Sequence, residues 1–223
     1  NLSFVEIDVK ISKDFIPILF HDEKLNRTTN GNGFCCDYSF NELSILDSGK
    51  WFNKEFKGEK ILSLSQCLDF LYDKKINVNI ELKPNIGKEI DNVKNIINTI
   101  KSKEKITEYY FSTFDILSLK TVFNISPYAP RGFLVGKDSP YDKYDIINIC
   151  REYKCFIIGM ESKIVTPEII NFFKKNNLIV SVYTVNNIDY ANNLFSLGID
   201  TIFTDRPDIF DIYLSWFGIP IIL

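Results

Sequence analysis

Two carboxylates two residues apart, Glu6-Ile7-Asp8, interrupt a run whose other members, Val5, Ile7 and Val9, are apolar. Alternate residues of an extended strand share a face, so Glu6 and Asp8 point one way and the apolar residues the other. Carboxylates held side by side repel unless a cation lies between them, although a bare E-x-D also occurs as a solvated strand end. Glu81-Leu82-Lys83 repeats the spacing directly after the run Ile76-Asn77-Val78-Asn79-Ile80. Glu6, Asp8 and Glu81 together offer oxygen ligands suited to a hard cation such as Mg²⁺ or Ca²⁺. Lys83 would add a point charge for a phosphate, or make a salt bridge with Glu81 or Glu6. His21-Asp22 contains the chain's one histidine. Its side chain has the ordinary pKa suited to proton transfer near neutrality, although lone histidines also serve structurally. Thr184-Val185-Asn186 and Thr204-Asp205-Arg206-Pro207 follow further β-type runs. Arg206 could meet phosphate or pair with a neighbouring acid, and Tyr183 and Phe114 could be substrate walls or ordinary core aromatics.

These residues need a scaffold that brings strand ends together. Short β-branched runs alternate with amphipathic stretches, the pattern of a parallel α/β protein. Strands are expected at Phe4–Val9, Ile76–Leu82, Glu108–Phe111, Arg131–Val135, Phe156–Met160, Ile179–Thr184 and Thr201–Thr204. Helices are expected at Ser63–Tyr72, Lys88–Lys101, Leu117–Phe123, Asp145–Tyr153, Pro167–Lys175 and Ile188–Leu197. Thr166-Pro167-Glu168 is a start signal and Gly198 a stop. Ile16–Phe20 looks like an extra strand returning after the first. Residues 22–62 are long, polar and Gly-containing, with at most a short helix near Asn41–Leu46, and loops of this length are usually functional. Seven barrel-type strands leave two hydrophobic edges, which natural proteins avoid, and a closed (β/α) barrel has eight. The expectation is therefore an α/β fold, a (β/α)₈ TIM-type barrel, with the first βα unit lying before Asn1. In such barrels the strand ends that carry Glu81, Lys83, Thr184 and Thr204 form the rim where sites are built.

Composition excludes several classes. The chain has 223 residues, 45% of them hydrophobic and 25% charged, which fits one large core in a single domain. A net charge of −3 with interleaved lysines and acids gives no reason to expect nucleic acid as a partner. No run of about 18 apolar residues exists, so no membrane span is expected, and the apolar tail Tyr213–Leu223 reads as a docked end segment. The first residue is Asn1, followed by a strand pattern rather than a signal peptide. Five cysteines, two of them adjacent, suit no disulfide framework and imply reduced thiols in the cytoplasm. No phosphate-binding glycine loop of the Walker or dinucleotide type is present.

Taken in order, several strings resemble the glycerophosphodiester phosphodiesterase family, most closely its cytosolic bacterial members. They are Val5-Glu6-Ile7-Asp8-Val9, Ser12-Lys13-Asp14, His21-Asp22, Leu25–Gly31, Leu46–Phe52, Phe56-Lys57-Gly58-Glu59, Asn79–Pro84, Phe111–Phe114, Pro130-Arg131-Gly132, Val182–Asn186 and Phe203–Pro207. The resemblance covers about residues 4–208. It implies a (β/α)₈ barrel with a family-type insertion at about 22–62. It also implies metal-dependent hydrolysis of small-molecule glycerophosphodiesters to sn-glycerol 3-phosphate and an alcohol. Carried over position by position, Glu6, Asp8 and Glu81 would bind the divalent cation, His21 would act in acid/base catalysis, and Lys83 would lie by the phosphate. Family members open with a strand ending in His-Arg-Gly, which these 223 residues lack. The chain by itself is therefore expected to have little or no activity. A barrel that binds a phosphorylated ligand without cleaving it is the alternative. A barrel aldolase or isomerase is a third reading, and the acidic trio disfavours it.

Overall fold

A computed structural model describes residues 4–210 and 221–222. Its centre is a curled parallel sheet. The strands are β1 (Phe4–Ile11), β3 (Asn77–Leu82), β4 (Tyr109–Thr113), β5 (Arg131–Val135), β6 (Ile157–Glu161), β7 (Ile179–Tyr183), β8 (Thr201–Phe203) and β9 (Ile221–Ile222). Neighbours in that order pair in parallel, and β9 also pairs with β1, so the ring closes. The short β2 (Pro17–Leu19) returns antiparallel along the outer end of β1, as the Ile16–Phe20 run suggests.

The connections are helical: α2 (Leu64–Lys74), α3 (Glu89–Lys101), α4 (Ile116–Ile125), α5 (Lys143–Glu152), α6 (Pro167–Lys175) and α7 (Ile188–Ser196). Each expected helix and each of the eight expected strand runs is present, with ends shifted by a few residues. Thr166 caps α6 by accepting from the Ile169 N–H, with Pro167 in the first turn. Gly198 follows α7 with φ of 97°, a left-handed position that suits glycine. The short helix near Asn41 is α1 (Phe40–Leu43), closed by a capping box between Ser39 and Glu42. Apart from 3₁₀ turns at Cys35–Asp37 and Lys54–Phe56, the rest of 22–62 is irregular, and it packs through a small core in which Leu25, Cys35, Leu43 and Ile61 join Ile18 and Phe20.

The βα unit expected before Asn1 lies outside these 223 residues; within them, Ile221–Ile222 pairs with both β8 and β1. Two residues carry no readable alternation, so the sequence pattern had no means of announcing this strand. Of the tail read as a docked segment, 213–220 and 223 lie outside the described residues. Among the described residues no helix is long and apolar enough to cross a membrane.

Val5, Ile7 and Val9 of β1 pack outward against the cluster formed by α2, α3, β3 and β4. Glu6 and Asp8 therefore face the barrel interior, as alternation requires. The interior is closed below by Tyr110, Ile157 and Phe203, with Phe4 and Tyr183 packed against them. The fit is tight enough that a Cβ on Gly159 would meet the Leu134 side chain at 2.5 Å.

Arg131 braces the opposite end of the barrel. It is 2% exposed, and its guanidinium donates to the carbonyls of Ser126, Pro127, Ala129 and Tyr153 while stacking near Phe123. Arg131→Met keeps volume but strands those carbonyls, and each buried unsatisfied group costs about 1–3 kcal/mol. Urea unfolding should show a loss of at least that size, with the m-value unchanged.

Candidate active site

Register creates the site. In the β1–β3 pairing Glu6 lies beside Asn79 and Asp8 beside Glu81, so four polar side chains at two successive levels of adjacent strands share the inward face of the barrel. The carboxylate oxygens of Glu6, Asp8 and Glu81 approach one another within 4.8 Å. Buried polar groups fix the outer end of β1. The Val9 carbonyl accepts from the Lys83 N–H and from the Asn92 side chain, both at 3.1 Å. The Ile11 carbonyl accepts from Asn85, and the buried Lys10 ammonium donates to the Lys83 carbonyl. These contacts tie the β3 end to the β1 end and hold the acids in step.

The cluster is short of positive charge. Lys83 Nζ lies 3.0 Å from Asp8 Oδ1 and 3.1 Å from Glu81 Oε1. The rim salt bridge foreseen for Lys83 thus forms with Asp8 and Glu81, and Glu6 is left out of it. Burial opposes the Lys83 cation, but Glu81 and Asp8 outweigh it and raise its pKa. Burial, followed by the charges of Asp8 and Glu81, pushes the Glu6 carboxyl well above the usual carboxylate range. Burial also raises Glu81, against the pull of Lys83. Glu6 Oε1 and both amide atoms of Asn79 are buried without a hydrogen-bond partner. Three carboxylates against one ammonium, with partnerless oxygens turned inward, are the donor set of a hard divalent cation.

His21 follows β2, whose end is drawn to β1 by the hydrogen bond from Phe20 N–H to the Asp8 carbonyl. Its Nδ1 is 2.6 Å from Asp22 Oδ1, and Arg27 grips the same carboxylate through two bonds of 2.6 and 2.7 Å. Arg27 first, and then His21, holds the Asp22 carboxyl well below the usual range. An ionised Asp22 only accepts, so the Nδ1 side of the ring donates to it and Nε2 is turned away from Asp22. The opposite wall is aromatic. Phe114 meets Tyr183 edge to face at 5.8 Å, and the Tyr183 hydroxyl donates to the Val135 carbonyl.

Glu6, Asp8, His21, Glu81, Lys83, Phe114 and Tyr183 all line one rim cavity of about 300 Å³. Sequence reasoning had left others in that lining without a role. Asn79 sits two residues before Glu81 on the same strand face, so alternation alone could have assigned it. Asp205 also lines the cavity, and Asn186 holds it through a bond to its carboxylate and one from its N–H. Arg206 takes the structural option, in a two-bond pair with Asp208.

A barrel with an acidic, lysine-bearing cavity at the C-terminal rim has the architecture of a barrel enzyme, whose sites are built at that rim. The match with known proteins is narrower. The chain belongs to the glycerophosphoryl diester phosphodiesterase family, whose model matches residues 1–209. It is 29% identical over 206 residues to a glycerophosphodiester phosphodiesterase of Caldanaerobacter subterraneus, covering 92% of this chain and 82% of that protein. It is 28% identical over 222 residues to one from Bacillus subtilis, covering 93% of this chain and 75% of the relative. An Oleispira antarctica phosphodiesterase solved with the product sn-glycerol-3-phosphate superimposes with a TM-score of 0.89 at 26% identity. That comparison covers 96% of this chain and 86% of the other.

Because Glu6 and Glu81 titrate higher in the folded protein than in the unfolded chain, the native state binds their protons more tightly. Their contribution to stability is therefore full below the ordinary carboxylate pKa and is lost as pH rises through the raised values. A saturating divalent cation should offset this loss at high pH, by about 2.7 kcal/mol at 100 times its Kd. Glu6→Gln stays neutral at every pH. In melting curves taken from about pH 5 to 8, it should lose less stability on alkalinisation than the parent and show little or no cation-induced rise in Tm.

Proposed function

We propose that the protein hydrolyses glycerophosphodiesters to sn-glycerol 3-phosphate and an alcohol, with Glu6, Asp8 and Glu81 holding Mg²⁺ or Ca²⁺. The observation that carries this reading is the placement of the three carboxylates, Lys83 and His21 around one cavity of about 300 Å³. Membership of a family with phosphodiesterase relatives, one of them solved with glycerol 3-phosphate, supports the substrate class. A divalent ion at the carboxylates would polarise the phosphoryl oxygen and offset the charge gathered there. Lys83 is placed to exchange part of its contact with Asp8 for a phosphate oxygen. His21 keeps Nδ1 on Asp22 and offers Nε2 for proton transfer at the ester oxygen. Phe114 and Tyr183 give the carbon skeleton of the substrate a flat wall. The five free thiols support a reducing, cytoplasmic setting, and the substrate would place the protein in glycerol and lipid turnover.

Hydrolysis moves two protons, one off the nucleophile and one onto the leaving alcohol, and His21 can carry only one of them at a time. The single histidine supports slow turnover by these 223 residues, and it equally favours the second reading, ligand binding without cleavage. Glycerol 3-phosphate release from sn-glycero-3-phosphocholine, measured beside calorimetric binding of Mg²⁺, Ca²⁺ and substrate, separates the readings. Slow, chelator-sensitive release that falls by a further 10²–10⁴-fold, roughly, in His21→Ala supports hydrolysis. Metal-dependent binding with no release supports the second reading. Binding that is indifferent to metal and to Glu81→Gln overturns both.

A further inference from the structure

Residues 50–60 are exposed without a break, and three of them are aromatic. Trp51, Phe52 and Phe56 are 51%, 70% and 45% exposed, and their rings form a chain with centroids 5.7 Å apart at each step. The segment is not loose. Asp47 ties its base together by accepting from the backbone N–H groups of Gly49, Lys50 and Gly58. The Trp51 indole donates to the Ser48 carbonyl. A Cβ at Gly49 would lie 2.0 Å from the Phe56 carbonyl oxygen, so the two arms cross where only glycine fits. A tied loop holding three rings in solvent exposes apolar surface of the kind that marks contact sites.

Its charge runs against that of the chain. Lys50, Lys54, Lys57 and Lys60 stand against Glu55 and Glu59, a local excess of two positive charges in a protein of net charge −3. Its position also matters. A cavity of about 430 Å³ is lined by Trp51 and Lys60 on one side and by Asp8 and His21 on the other, so the loop borders the active-site mouth.

We propose that the 50–60 loop docks on an anionic lipid bilayer. Trp51, Phe52 and Phe56 enter the headgroup region, and Lys50, Lys54 and Lys57 face the acidic headgroups. Aromatic side chains interleaved with lysine are the composition of interfacial anchors. Three rings on one loop fall far short of the roughly 800 Å² per partner that a stable dimer buries, which argues against a second copy as the occupant. The binding is reversible and salt-sensitive, and it brings the mouth of the site to the membrane surface. It is independent of turnover, because docking uses no residue of the carboxylate cluster.

Co-sedimentation with vesicles tests it, using phosphatidylcholine alone and phosphatidylcholine with phosphatidylglycerol. The chain should partition onto the anionic vesicles and bind at least about tenfold more weakly to neutral vesicles or at high salt. Phe52→Ser/Phe56→Ser and Lys54→Glu/Lys57→Glu should each weaken anionic-vesicle binding to a similar degree. Both should keep the parent circular dichroism and the cation-induced Tm shift, which separates lost docking from lost folding. No preference for anionic vesicles, or equal binding by both double variants, overturns the proposal. So does a concentration-dependent dimer that Phe52→Ser/Phe56→Ser disperses, which would make the loop a self-interface.

Discussion

Two parallel strands paired in one register force like charges together inside a barrel, and much of this protein answers that repulsion. Placing Asp8 beside Glu81 and Glu6 beside Asn79 crowds carboxylates where water is scarce. Lys83 relieves only part of the load, since its ammonium reaches Asp8 and Glu81. The remainder is held in place by scaffold. Asn92, Asn85 and Lys10 occupy carbonyls at the strand ends, so β1 cannot slip by a residue and turn its acids toward the helices. The surrounding helices cover the apolar faces of β1 and β3, which leaves the acids no route to water except through the rim.

The histidine answers a different constraint. It stands on an irregular segment, where precision must come from bonded neighbours. Asp22 provides one anchor and Arg27 secures Asp22, so orientation passes from a charged pair to the imidazole ring. The segment that supplies Arg27 also supplies the aromatic loop, and Arg27 lies 5.7 Å from the Trp51 ring. Residues 22–62 are thereby coupled to the chemistry at one end and open to solvent at the other.

Much of this was legible in the sequence, because the period of each element and the matter it must bury are local properties. Val5, Ile7 and Val9 announce an outward face, and Glu6 and Asp8 the inward one. Thr166-Pro167 marks a helix start whatever surrounds it. The seven residues singled out for chemistry share a cavity because alternation and strand-end position follow from spacing alone. Partner choice was not legible, since it depends on register. Lys83 selecting Asp8 over Glu6, Asn186 steadying Asp205, and Arg206 turning away to Asp208 are all settled by distances between distant segments. The strand Ile221–Ile222 is a stronger case, because only the vacant place between β1 and β8 gives two isoleucines a structural meaning.

The packed interior beneath the cavity has a consequence for traffic. Among the described residues Phe4, Tyr110, Ile157 and Phe203 pack together beneath the cavity, and Leu134 fills the space that Gly159 vacates. Among these residues the rim is the doorway. A ligand split in two there would yield two pieces competing for one doorway, so the slower to depart would set the pace of the cycle and delay the next arrival.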